Sequence, residues 1–220
     1  DAGFFTSAKP DVLLDEVHRQ KEGCGILDMA TTVRSGGRLE CRAYDESLVM
    51  PLSRRETIDP FDFDQVIVGR RETRAAWNRR MRERAGLTSA LPSPGDKLVC
   101  LRNDYRVNVM NGEMVEAEEI IEDVDEDTFR IRCIDRSTGR RFDCLAHKHY
   151  FESRAGDLSF SDSGGAVVFD YGYAITCHKS QGSQWGRVLI QDESFCFRED
   201  RAKWLYTAIT RASEHVTVMR

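Results

Sequence analysis

Residues 172–193 read GYAITCHKSQGSQWGRVLIQDE, and residues 198–220 read REDRAKWLYTAITRASEHVTVMR. The first short apolar run, 173–176, carries a β-branched residue and then breaks into small polar residues, as a buried strand entering a loop does. A second apolar run, 187–190, predicts another strand. Ala202, Leu205, Ile209 and Ala212 recur near helical spacing, which predicts an amphipathic helix over 199–213. A β-branched run at 215–219 closes the pattern as a strand. The loop after the first strand presents Thr176, His178, Lys179, Ser180, Gln181 and Gly182 in sequence, a dense set of hydroxyl, imidazole, amine and amide groups. The helix ends in Thr210-Arg211, with the arginine just ahead of the last strand.

These residues resemble the superfamily 1 DNA helicases. ITCHKSQGSQW (175–185) resembles their motif V, and LYTAITRA (205–212) resembles their motif VI. The long HKSQGS form is similar to the RecD and Dda branch rather than the UvrD branch. The resemblance implies the C-terminal part of such an enzyme. Its fold class would be α/β: a RecA-like parallel sheet with helices on both faces, plus an inserted small SH3-like β-barrel. It further implies that Arg211 reaches the nucleotide, and that Thr176, His178, Lys179, Ser180 and Gln181 grip single-stranded DNA, with Gly182 shaping the loop. Many relatives carry a glutamate two residues after that glycine, facing the nucleotide sugar. Here the position is Gln184, a neutral amide that still hydrogen-bonds to a hydroxyl.

Composition sets looser bounds. The 220 residues hold one large domain or two small ones. The net charge of −5 gives no global basic field to advertise a nucleic acid. No run of eighteen apolar residues predicts a membrane span, and no signal peptide is visible. Seven cysteines without a C-x-x-C pair predict reduced thiols in a cytoplasmic protein rather than a zinc site or a disulfide framework.

The chain begins DAGFFTSAKPDVLLDEVHRQ, as if cut from something longer. VHRQ (17–20) resembles a short helicase element in which an arginine, here Arg19, reaches the γ-phosphate. Residues 26–33 predict a helix ended by Gly36-Gly37, 47–52 a short strand, and 65–69 a buried strand. That last strand runs into a helix from about Thr73 to Ala85. Residues 70–84 hold seven arginines against two glutamates. Such a run is either a solvated face or a set of phosphate contacts. By resemblance, Arg70, Arg71 and Thr73 are the candidates to touch DNA.

Beyond the turn-rich LPSPGD (91–96) the pattern becomes all β. Strands are predicted at 97–102, 113–121, 128–133 and 140–145, with Asn111-Gly112 and Ser137-Thr138-Gly139 at the turns. The start of this region resembles the inserted barrel, giving an insert at 96–165 within a RecA-like domain of 1–95 and 166–220. Residues 113–127 hold nine acids and no base. They predict a solvated face, or one that docks on a basic surface of another domain, rather than a DNA channel. His147 and His149 lack further ligands for a metal, and SDSGG (161–165) lacks a nucleophile elbow.

No G-x-x-x-x-G-K-[ST] loop occurs, so this chain alone is not expected to hydrolyse ATP. By resemblance, ATP and Mg²⁺ sit mainly on an upstream RecA-like domain. Arg211 and Arg19 would then stabilise the transferring phosphoryl group from across the cleft. Single-stranded DNA is the expected partner, with other recombination or repair subunits alongside and no membrane. The alternatives are a non-catalytic nucleic-acid-binding module of a recombination or repair complex, and a nuclease. The nuclease lacks the clustered mixed acids that a two-metal site needs.

Overall fold

The computed structural model describes residues 24–220 except 155, 157 and 160; Arg19 and the VHRQ stretch lie outside the described residues. The strands are β1 (Ala43–Tyr44), β2 (Ser47–Met50), β3 (Gln65–Val68), β4 (Lys97–Cys100), β5 (Met114–Asp123), β6 (Thr128–Ile134), β7 (Arg141–His147), β8 (Phe169–Tyr171), β9 (Ala174–Thr176), β10 (Trp185–Gln191) and β11 (Ala212–Met219). The helices are α1 (Gly25–Arg34), α2 (Arg71–Arg84) and α3 (Arg201–Ile209).

One sheet runs β1-β2-β11-β10-β3-β9. Every pair from β2 to β9 is parallel, and only the edge pair β1–β2 is antiparallel. Parallel strands are buried on both faces, so they read as continuous apolar runs. QVIV of β3 is fully buried for this reason. Successive side chains still alternate between faces. Ile67, Val188, Ile190, Val216 and Val218 join α1 and α3 in one core, while Val66, Val68, Leu189 and Met219 join Trp77 and Met81 of α2 in the other. Helices therefore cover both faces, as in a RecA-like sheet.

The second sheet is antiparallel, in the order β7-β6-β5-β4-β8. It does not close into the expected SH3-like barrel. Among the described residues its outer edges meet only at the isolated Ala146↔Val167 bridge, because β8 is three residues long and pairs with β4 alone. Nor is it an independent bead. Leu98, Phe129, Ile131, Phe169 and Tyr171 share one continuous core with Trp77, Met81, Val66 and Leu189. The two sheets meet at Gly172, where an added Cβ would lie 2.9 Å from the Leu98 carbonyl carbon and 2.5 Å from Met114 Cε.

A buried ion pair fastens the connection between the sheets. Arg82 donates to Asp96 at 2.9 and 3.0 Å, and it also donates to the carbonyls of Ser89 and Leu91. Asp96 further accepts from Tyr173 Oη at 3.0 Å and Ser93 N–H at 2.7 Å. The turn-rich 91–96 segment is thus held firmly against α2 and the start of β9.

The acidic run at 113–127 is largely exposed toward its far end, and seven of its nine acids have basic partners within the same region. Arg130, Arg132, Arg136, Arg140, Arg141, Lys148 and Arg154 pair with Glu122, Glu119, Glu116, Glu113, Glu118, Asp123 and Asp127 respectively. Opposed strands of an antiparallel sheet bring such partners side by side. Among the described residues, no helix is long and apolar enough to cross a membrane.

Candidate functional site

Parallel register places the ends of β3, β9 and β10 on one carboxyl edge: Val68 pairs with Thr176, and Ile67 with Ile190. Loops leaving that edge of an open α/β sheet are where ligands bind. Three of them converge here.

The loop after β9 is a tight turn. The Thr176 carbonyl accepts from the N–H groups of Lys179 at 2.9 Å and Ser180 at 3.1 Å. Gly182 takes φ +89°, which a side chain would strain. His178 and Gln181 are exposed. Cys177 turns inward against the Trp204 carbonyl, and burial pushes its thiol up to about 11. Ser180 faces inward. It is fully buried, and its hydroxyl donates to the Cys177 carbonyl at 2.7 Å, so here it builds the turn. Lys179 is half-buried and donates to Asn111 Oδ1 in the second sheet's turn. Desolvation lowers its pKa.

This loop then crosses the sheet without a helix. It descends to the amino edge of β10, where Trp185 pairs with Ala212. Arg211 waits there. Its guanidinium donates to the Ser183 carbonyl at 3.1 Å, the Thr207 carbonyl at 3.2 Å and Thr210 Oγ1 at 3.4 Å. Gln184 is exposed beside it. One eight-residue loop, 177–184, therefore joins His178 and Lys179 at the carboxyl edge to Arg211 at the amino edge.

The loop after β3 is organised by a residue that sequence reasoning passed over. Glu193 follows β10 and is 1 % exposed. Its carboxylate accepts from Gly69 N–H at 2.9 Å, Arg70 N–H at 2.8 Å, Arg70 Nε at 2.7 Å and Thr73 Oγ1 at 2.5 Å. It thus caps the N-terminus of α2 from a distant strand. Burial alone would raise its pKa, but these hydrogen bonds outweigh burial and hold it below the usual carboxylate range. An acid directly after an apolar strand at a sheet edge is the only sequence signal it leaves. Thr73 spends its hydroxyl proton on Glu193, so it cannot also donate to a phosphate. Arg70 remains half-exposed and Arg71 exposed.

The arginine run is mostly neutralised. Arg74 pairs with Asp170, Arg79 with Glu83, Arg80 with Glu56, Arg82 with Asp96 and Arg84 with Asp59. Exposed guanidinium surface remains at Arg70, which is itself ion-paired with Glu193, at Arg71 and at Arg79. No cluster of three or more His, Cys, Asp or Glu able to hold a metal occurs among the described residues.

Residues 171–219 match the UvrD-like helicase C-terminal domain. No curated protein matches the chain. Among solved structures, the Pif1 helicase from Candida albicans is similar at 15 % identity and TM-score 0.56, over 93 % of this chain and 55 % of that one. A structure of two coordinating Pif1 helicases that addresses DNA unwinding at forked double-stranded DNA matches at 15 % identity and TM-score 0.55, over 92 % of this chain and 48 % of that one. Bacteroides Pif1 in complex with ADP-AlF3 and single-stranded DNA matches at 14 % identity and TM-score 0.51, over 92 % and 50 %. The chain spans about half the length of these structures, and at such identities the likeness shows a shared fold.

Proposed function

We propose, from the match of residues 171–219 to the UvrD-like helicase C-terminal domain, that this chain is the second motor domain of an ATP-dependent superfamily 1 DNA helicase of the RecD/Dda type. The remainder of that enzyme supplies a P-loop, which this chain lacks, and holds ATP and Mg²⁺.

The observation that carries the reading is the crossing loop 177–184. His178, Lys179 and Gln181 stand at the carboxyl edge, with Arg70 and Arg71 nearby, and these are the groups proposed to hold single-stranded DNA. At the other end Arg211 sits half-buried on the loop's own Ser183 carbonyl. A guanidinium suits this task because it stays charged and presents planar donors to phosphate oxygens. Gln184, and Gly182 through its turn, place an amide close to the same edge. Arg19 is proposed as a second cation toward the γ-phosphate. The nucleotide, when bound in the cleft, supplies the phosphoryl group that is transferred to water. This chain's residues neutralise the developing charge and relay the change in position along the loop. A strand held at one edge is then moved when the cleft closes and opens. The proposed setting is recombination or repair, in the cytoplasm.

Arg211→Ala in the full-length protein tests the assignment. The expected result is loss of ATP turnover by at least about 10³-fold, with single-strand binding retained. Normal turnover removes Arg211 from the phosphoryl transfer. A wild-type protein that binds single-stranded DNA without hydrolysing ATP instead supports the binding-module reading.

A further inference from the structure

We propose that Phe195 is a base-stacking residue for single-stranded nucleic acid, carried on an arch of residues 192–200 that spans the carboxyl edge between the Arg70 turn and the His178 loop; this rests on the function proposed above. The arch leaves β10 and is fixed at both feet. At one foot Glu193 is locked to Gly69, Arg70 and Thr73. At the other, Phe197 stacks on Trp204 with centroids 5.6 Å apart and planes at 14°, and its ring lies 5.7 Å from that of His178. The arch passes directly over the end of β3. A Cβ at Gly69 would fall 2.8 Å from Glu193 Cβ and 3.2 Å from Phe197 Cε2. It thereby fuses the loops after β3, β9 and β10 into one surface.

Within this arch the aromatic residues divide sharply. Trp204 is 5 % exposed beneath it, Phe197 is partly covered, and Phe195 is 60 % exposed. Ser194, the residue before Phe195, is wholly buried and accepts from Arg201 Nε at 3.2 Å. Arg198 closes the same stretch at φ 43° and ψ −109°, a conformation that non-glycine residues avoid. The backbone is thus braced on both sides of an apolar ring that the fold leaves in water. Every base offers a flat face to such a ring whatever its identity, while the phosphates follow cations. Cationic and polar groups flank the arch: Arg70, ion-paired with Glu193 through Nε yet 51 % exposed, stands at one side, and His178 and Lys179 lie at the other. Of the acids on the arch, Glu193 is held by four donors, Asp192 by Ser194 N–H and Arg220, and Asp200 by Lys203, while Glu199 is exposed.

The test uses the full-length protein and fluorescence anisotropy with oligo(dT), alongside an oligonucleotide of equal length made of abasic sites. Phe195→Ala is expected to weaken oligo(dT) binding roughly 5- to 150-fold. Affinity for the abasic strand, and the dependence of log K on log salt, stay as in wild type because no charge is removed. Phe195→Trp keeps the oligo(dT) affinity and shows quenching of its added fluorescence on binding, beyond that of wild type. Equal binding of oligo(dT) by wild type and Phe195→Ala overturns the inference and leaves the motor reading standing. Unchanged binding with altered ATP turnover also overturns it, and makes Phe195 a contact to another protein domain. Failure of wild type to bind either strand overturns both readings.

Discussion

Asp96→Asn leaves the shape of the Arg82–Asp96 cluster almost intact while removing its negative charge. Both side chains are buried, Arg82 at 8 % and Asp96 at 0 % exposure, and the carboxylate meets the guanidinium through two bonds at 2.9 and 3.0 Å. The amide keeps one acceptor oxygen but turns an NH₂ group toward the guanidinium or toward the Ser93 N–H. Arg82 then holds a buried charge offset by neutral groups alone: the amide oxygen, the Ser89 and Leu91 carbonyls and the face of the Tyr171 ring. Breaking one side of a buried pair costs about 3–5 kcal/mol. For a chain of this size each kcal/mol lowers the melting temperature by about 2–4 °C, so the loss is about 6–20 °C. Circular-dichroism melts and urea titrations measure it. The Arg82→Met, Asp96→Leu double variant removes both charges and should be less destabilised than the sum of its single variants by about 2 kcal/mol or more. A loss below about 1 kcal/mol for Asp96→Asn, or strict additivity in the cycle, refutes the claim that this pair anchors the linker.

Lys179→Ala should weaken single-strand binding and reduce the slope of log K against log salt by about 0.7; an unchanged slope in anisotropy titrations places the ammonium away from phosphate. Glu193→Gln tests a linkage. The folded-state pKa of Glu193 is depressed, so its stabilisation is fully present above the unfolded value of about 4.3 and is lost as pH falls through the folded value. The stability gap between wild type and Glu193→Gln should therefore be wide at pH 6 and narrow steadily below about pH 4. A gap in acid-titrated urea unfolding that does not change with pH contradicts this role.

The main sheet was legible because its strands carry their own signature. QVIV of β3 and the β-branched end of β11 are buried on both faces, so apolar runs alone locate them. The α3 helix is shorter than its periodicity suggests, since Arg198 leaves helical geometry before it and Ala212 already pairs with Trp185 after it. The charge runs were hardest to read, because a sequence shows charge without showing its partner. The arginines of α2 find Glu56 and Asp59, Asp96, and Asp170 from three separate segments. β8 stayed hidden for the same reason: FDY is three residues long, and its buried Asp170 finds its counter-charge in Arg74. Within the candidate site, the exposed His178 and Gln181 and the turn glycine Gly182 follow from local composition. The inward Ser180 and the distant cap Glu193 depend on tertiary neighbours, as does the open edge of the second sheet.

Neighbouring strands β3 and β9 are far apart along the chain, with Gln65 and Tyr173 separated by 108 residues yet bonded at 3.0 Å. The whole second sheet is threaded between them. Its first and last strands pair directly, Leu98 with Tyr171, so once formed it shortens the loop that β3 and β9 must close to about 35 residues. Loop entropy grows only with the logarithm of length, so this saves about 1 kcal/mol. Chain connectivity is therefore nearly indifferent to how long the excursion is, provided its two ends emerge side by side. This junction acts as a socket that admits inserts of many lengths, and the apolar residues shared across it, rather than the tether, decide which insert stays seated.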